Sequence, residues 1–88
     1  MTSSKAWNGV TEAIFDCIKA TSEKDHGTKY DPPHGDQGTS TTDTAVGTVV
    51  LGFSLANGTL TYTIQKKPWI VPESSIWEGI GDTINGCR

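Results

Sequence analysis

Basic residues are scarce in this chain, and its apolar runs are short. The 88 residues include 7 Lys and Arg against 10 Asp and Glu, which gives a net charge of −3. Nucleic-acid binding needs a basic stripe, and Lys66-Lys67 is the sole adjacent basic pair, so the charge argues against nucleic acid as a partner. No apolar run approaches the roughly 20 residues that a membrane-spanning helix needs, so we expect no membrane span.

Cysteine is also scarce, since the chain contains two, Cys17 and Cys87. Neither stands in a C-x-x-C or zinc-ligand spacing. Three states are open to them: an intramolecular disulfide, two buried thiols or a link between chains. The first residues, "MTSSKAWNG", lack the apolar core of a signal peptide, so a secreted protein would be present here in its mature form.

A constellation typical of catalysis is missing. Both histidines, His26 and His34, lie in a segment that also contains Asp25, Asp31 and Asp36. A zinc or nickel site, or a general acid–base pair, can be drawn from these residues, but their spacing matches no zinc pattern. We therefore expect a protein that is not an enzyme and that uses no metal or cofactor.

Two segments have helical periodicity. A helix over about residues 4–20 is predicted by an apolar stripe of Ala6, Trp7, Val10, Ala13, Ile14, Cys17 and Thr21. A second helix over about residues 73–86 is predicted by the stripe of Ile76, Trp77, Ile80, Ile84 and Cys87.

Residues 44–67 predict an antiparallel hairpin that turns at Asn57-Gly58, a pair favoured in type I′ turns. A two-residue turn places Phe53 opposite Tyr62 and Leu51 opposite Ile64. Side chains then alternate, with apolar residues on one face and Thr, Ser, Gly and Gln mainly on the other. This pattern is typical of an antiparallel sheet that is covered on one side.

Residues 22–43 lack a period and are rich in Gly, Pro, Asp, Ser and Thr, which predicts a long loop. About 20 residues is long for a loop in a compact domain, so it is expected to be functional or mobile. A lone hairpin leaves both edges open. Either "TSTTDT" in this loop supplies a third strand, or two chains pair edge to edge as a homodimer, the alternative we favour.

The two predicted helices share a pattern, because "WNGVTEAIFDC" and "WEGIGDTINGC" match position by position at a displacement of 70 residues. Cysteines joined by a disulfide need Cα atoms within about 7 Å, which two helices with this shared pattern reach in parallel packing. We therefore predict a Cys17–Cys87 disulfide. The predicted fold is a single α+β domain over residues 1–88, in the order α-β-β-α, with an antiparallel hairpin and two roughly parallel helices on one face.

The sequence favours recognition of a protein or glycan over catalysis. The candidate binding residues lie in the loop, on the polar face of the hairpin and in the Pro-flanked segment 68–73: His26, Tyr30, His34, Asp36, Thr59, Thr61, Thr63 and Trp69. Small size and one long-range disulfide suggest a secreted toxin, effector or defence protein. The alternative is an intracellular structural or interaction module, a homodimer or an inhibitor of a partner enzyme, with reduced cysteines.

Overall fold

The chain forms a five-stranded antiparallel sheet and two helices. The computed structural model describes residues 3–88, with β1 (Ser3–Asn8), α1 (Glu12–His26), β2 (Lys29–Asp31), β3 (Gln37–Thr44), β4 (Gly47–Ala56), β5 (Thr59–Lys66) and α2 (Glu73–Cys87). The strands lie in the order β1-β5-β4-β3-β2. The order is therefore β-α-β-β-β-β-α, and the predicted α-β-β-α order around a lone hairpin is wrong.

The central hairpin has the predicted register. Phe53 pairs with Tyr62 and Leu51 with Ile64 across β4 and β5. Asn57 and Gly58 form the turn with φ of 53° and 76°, as a type I′ turn requires. The alternation of apolar and polar residues therefore identified both the strands and the face that packs into the core.

The helix predicted over residues 4–20 is wrong at both ends. Residues 3–8 form β1, which pairs with β5 and places Trp7 opposite Leu60. Gly9 then turns the chain with a φ of 71°, and Thr11 caps α1 by accepting a hydrogen bond from the Ile14 N–H at 3.2 Å. The helix continues to His26, where Gly27 ends it in the left-handed conformation.

The loop predicted over residues 22–43 is wrong as well. Its first part belongs to α1, and the rest supplies β2 and β3 around a short connection. The segment "TSTTDT" lies in β3, which pairs with β4 along its length. The hairpin is thus extended on both sides from within the chain, which removes the reason for which a homodimer was predicted.

Cys17 and Cys87 form the predicted disulfide, with Cα atoms 5.8 Å apart. The helices nevertheless run in roughly opposite directions. Ser22, in the second half of α1, lines the same cleft as Ile76, in the first half of α2, while Cys17 lies near the start of α1 and Cys87 at the end of α2. The predicted parallel packing is wrong because Trp7 is on a strand, so the two matching segments are not two helices.

The core lies between the helices and one face of the sheet, which we call the inner face. Phe15 and Ile18 of α1 and Ile84 of α2 pack there in a cluster with residues of β4 and β5. Ile84 is the one fully buried residue of α2, whereas Trp77 is half-buried and contacts Trp7 at a ring-centroid distance of 6.0 Å. The second helix therefore packs more shallowly than the first.

Candidate functional site

A tight turn after β5 carries two exposed apolar side chains. The Val71 N–H donates to the Pro68 carbonyl at 3.0 Å, which makes Trp69 and Ile70 the central residues of the turn. The Lys67 amine donates to the Val71 carbonyl at 2.8 Å and ties the turn to the end of β5. Trp69 is 90% exposed and Ile70 58%. The Pro-flanked segment therefore begins with a closed turn, which exposes Trp69, one of the candidate binding residues.

The turn between β3 and β4 lies beside this one and adds a third exposed apolar side chain. Val46, in that turn, is 55% exposed. Gly47 packs so closely on Pro68 that a Cβ atom there would come within 2.7 Å of the proline ring. Val46, Trp69 and Ile70 thus lie at the same end of the molecule, and we call them the apolar patch.

An open cleft of about 260 Å³ adjoins the apolar patch. Its floor is formed by residues of β2, β3, β4 and β5, and its sides by α1 from Ile18 to His26 and by α2 from Ser75 to Thr83. Val71, the last residue of the turn that carries Trp69, lines the cleft. The cleft exists because the two helices do not close over this part of the inner face.

Hydroxyl groups line part of the cleft and bond to one another. The hydroxyls of Tyr30 and Tyr62 lie 2.9 Å apart, and those of Thr28 and Thr42 lie 2.7 Å apart. Burial raises the pKa of both tyrosines, because the charged phenolate would lose its hydration. The two phenols therefore stay protonated and neutral at physiological pH.

The structure separates the predicted binding residues of the former loop. His26, exposed at the end of α1, lines the cleft, and Tyr30 is buried in the cleft floor. His34 and Asp36 instead lie in the connection between β2 and β3. Within residues 3–88, no three His, Cys, Asp or Glu side chains come close enough together to hold a metal ion.

The connection between β2 and β3 is fixed by a buried lysine. The Lys19 amine donates to the carbonyls of Pro33 at 3.3 Å and Gly35 at 2.9 Å. Asp36, the last residue of the connection, lies beside Glu12 at the start of α1. A hydrogen bond between these two carboxyl groups, and their like charges, raise the pKa of Glu12.

The predicted threonines lie on the outer face of the sheet, which neither helix covers. Two of their hydroxyls are already bonded to β1. Thr59 donates to the Asn8 side-chain oxygen at 3.0 Å, and the Thr63 and Ser4 hydroxyls lie 2.9 Å apart. Thr61 lies between them on β5, opposite Ala6. The outer face is polar, but part of its hydrogen-bonding capacity is used within the sheet.

Sequence reasoning missed most residues of these surfaces, among them Val46 and Ile70 in the apolar patch and Ser40 in the cleft. Ser40 pairs with Tyr30 on one side and Leu51 on the other, which places it on the inner face. The segment "TSTTDT" is one of the two alternatives predicted for completing the sheet. Pairing this segment with β4 would have assigned Ser40 to the inner face.

No protein-family model, curated protein or solved structure matches this chain. Neither helix described in residues 3–88 is long and apolar enough to cross a bilayer.

Proposed function

We propose that this chain is a small disulfide-closed binding protein that recognises a partner protein through the apolar patch and catalyses no reaction. The observation that carries the proposal is the 90% exposure of Trp69 at the centre of a closed turn. Tryptophan is enriched among the residues that dominate binding energy in protein interfaces. A turn that is already closed lowers the entropy lost when the side chain is bound.

The neighbours of Trp69 favour a protein partner over a glycan. Ile70 and Val46 add apolar area but no hydrogen-bonding side chain, so the patch suits an apolar pocket on another protein. A glycan needs polar groups beside the aromatic ring, and the candidate binding threonines lie instead on the outer face around Thr61. If the partner proved to be a glycan, the outer face and not the apolar patch would be the recognition surface.

A secreted toxin, effector or defence protein is the class that we propose. Support comes from the Cys17–Cys87 disulfide, which is compatible with an extracellular location, and from the small size of the chain. The alternative class is an intracellular interaction module with reduced cysteines. Alkylation of natively purified protein, with and without prior reduction, separates them. Label that enters only after reduction supports the secreted class, and two labels without reduction support the intracellular module.

Site-specific photo-crosslinking tests the recognition surface. A photoreactive phenylalanine analogue replaces Ile70 in one variant and Asn85, at an exposed position near the end of α2, in a control variant. Each is incubated with the extracellular fluid of the native source. The cross-linked protein is then purified, and its affinity for wild type, Trp69→Ala and Thr61→Ala is measured by calorimetry.

A protein adduct that forms at position 70 and not at position 85 is the expected result. Trp69→Ala should weaken binding of the purified partner about 30-fold or more, the loss typical of a dominant interface residue, while Thr61→Ala stays within about threefold. The absence of an adduct specific to position 70, or a larger loss in Thr61→Ala than in Trp69→Ala, would refute recognition through the patch.

A further inference from the structure

The lining of the cleft between the helices and the inner face combines aliphatic and hydroxyl side chains. The aliphatic ones come from both helices and from β4 and include Ile18, Leu51, Ile76 and Ile80. On the sheet side, one wall consists of hydroxyl groups on β2 and β3 and in the segment before β2: Thr28, Tyr30, Ser40 and Thr42. The helices also contribute polar side chains, among them Ser22, Ser75 and Thr83. A molecule that filled the cleft would therefore meet both apolar contacts and hydrogen-bonding groups.

Ser40 is the hydroxyl on this wall that has no hydrogen-bond partner among the described side chains. Its neighbours are satisfied as pairs, Tyr30 with Tyr62 and Thr28 with Thr42. Ser40 as a whole is only 2% exposed. Every side-chain oxygen of the described residues that is fully enclosed has a hydrogen-bond partner, so an oxygen without one is not fully enclosed. Its oxygen is therefore open to the cleft, and buried polar groups of this kind are normally hydrogen-bonded.

The volume of the cleft limits the size of its occupant. An apolar cavity of about 150 Å³ accommodates a benzene molecule. On the same scale, about 260 Å³ accommodates a molecule of roughly ten non-hydrogen atoms. This is the size of a substituted phenol or of a medium-chain alcohol, and it is smaller than most peptides or oligosaccharides.

The charge of the lining limits the chemistry of the occupant. Among the described residues that line the cleft, His26 is the one of a basic type, and it is exposed at the edge of the cleft. None of these lining residues is Asp or Glu, and both tyrosines are neutral. A charged ligand buried against this floor would lack a counter-ion, which is costly, whereas a neutral one would not.

The geometry points to a binding site for a small neutral amphipathic molecule of about ten non-hydrogen atoms. Its oxygen bonds to the Ser40 hydroxyl, and its apolar body packs against Ile76 and Ile80. This site is separate from recognition through the apolar patch, because the ligand lies behind Val71 and does not require the Trp69 ring. The protein would then carry a small organic ligand in addition to binding a partner.

Three probes test the ligand class by amide NMR titration of the full chain. They are 4-propylphenol, propylbenzene, which lacks the hydroxyl, and 4-ethylbenzoate, which is charged. We expect 4-propylphenol to shift the amide signals of Ser40, Leu51 and Ile80. Loss of one neutral hydrogen bond, in propylbenzene or in Ser40→Ala, should weaken binding about 2- to 12-fold. The benzoate should bind more weakly than the phenol.

A matched pair of glycine variants tests the location. Gly79 lines the cleft on α2, and a Cβ atom there meets no atom within 4 Å; the same space surrounds Gly86, which does not line the cleft. Gly79→Leu should therefore fill the cleft without unfolding the helix and weaken 4-propylphenol binding at least tenfold. Gly86→Leu and Trp69→Ala should leave the affinity within about twofold.

Three results would refute the proposed ligand site. The first is the absence of a saturable shift with any probe, which would mean that the cleft contains water alone. The others are equal affinities of the two leucine variants for 4-propylphenol, and tighter binding of the benzoate than of the phenol. A loss of affinity in Trp69→Ala would show that the ligand lies on the apolar patch instead. Failure of partner binding in the crosslinking experiment leaves these titrations unaffected, so the two proposals fail independently.

Discussion

At the scale of single residues, Lys19 links the core to the connection between β2 and β3. It is 8% exposed, and its amine donates to two carbonyls of that connection while lying 4.3 Å from the centroid of the Phe15 ring. The two hydrogen bonds and the aromatic face replace part of the hydration that a buried ammonium loses. The sequence gives no sign of this role, because Lys19 looks like one more surface residue on an amphipathic helix.

Replacing Lys19 with Met should lower the free energy of unfolding by about 1–3 kcal/mol, since the volume is kept but the hydrogen bonds from a charged donor are lost. Urea denaturation measures the change. Lys24→Met, at an exposed position of the same helix, is the matched control and should change stability by less than about 0.5 kcal/mol. Equal stabilities of the two variants would show that the amine contributes nothing to the fold.

At the scale of elements, local sequence signals predicted the hairpin that they specify, but not the strands that form through pairing with distant parts of the chain. The β4–β5 hairpin was predictable because a type I′ turn and strict alternation specify both strands and their register. The segment 3–8 contains one half-buried aromatic residue, Trp7, and becomes a strand through pairing with β5, more than 50 residues later in the chain. Such non-local pairing leaves little trace in a window of a few residues, so helical spacing of Ala6, Trp7 and Val10 was misleading.

The end of α1 was signalled locally but not recognised. Gly27 has a φ of 65°, and its N–H donates to the Glu23 carbonyl, which is the 5→1 hydrogen bond of an αL helix cap, while the Thr28 N–H donates to the Ser22 carbonyl. Identifying this glycine as a helix stop would have extended the helix to His26 and brought His26 and Tyr30 towards one end of the fold. The position of Ser40 in the cleft required the pairing of β3 with both neighbouring strands.

Two glycine-to-alanine changes should shift stability in opposite directions. Gly27→Ala places a Cβ atom in the left-handed region and should cost about 1–2 kcal/mol. Gly79→Ala, within α2 and without neighbours within 4 Å, should add about 0.5–1 kcal/mol through helix propensity. Chemical denaturation of both variants measures the shifts. A stabilising Gly27→Ala or a destabilising Gly79→Ala would contradict these assignments of the two glycines.

At the scale of the whole molecule, the Cys17–Cys87 disulfide compensates for the shallow packing of α2. The bridge joins positions 70 residues apart, and a loop of this length corresponds to about 4 kcal/mol in the chain-entropy estimate. Apart from the bridge, α2 buries Ile84 fully, while Ile76, Trp77 and Ile80 pack against the core and stay partly exposed. The disulfide was predictable from the presence of two cysteines. The directions of the two helices were not, because the prediction placed Trp7 in the first helix, whereas it lies in a strand.

Removing the bridge should therefore release α2 before the sheet unfolds. In the double variant Cys17→Ala/Cys87→Ala, we expect the amides of α2 to exchange with deuterium at least 100-fold faster than in the oxidised protein. This corresponds to a loss of about 3 kcal/mol in local stability at α2. The amides of β4 and β5 should remain protected, because their pairing and the contacts of α1 do not depend on the bridge.

Wild type reduced with a phosphine is the matched comparison, since it lacks the bond but keeps both sulfur atoms. If α2 stays as protected as β4 in both samples, its packing alone holds it. If α2 and the sheet lose protection together, the disulfide stabilises the whole domain as one cooperative unit, and α2 is not a separately released element.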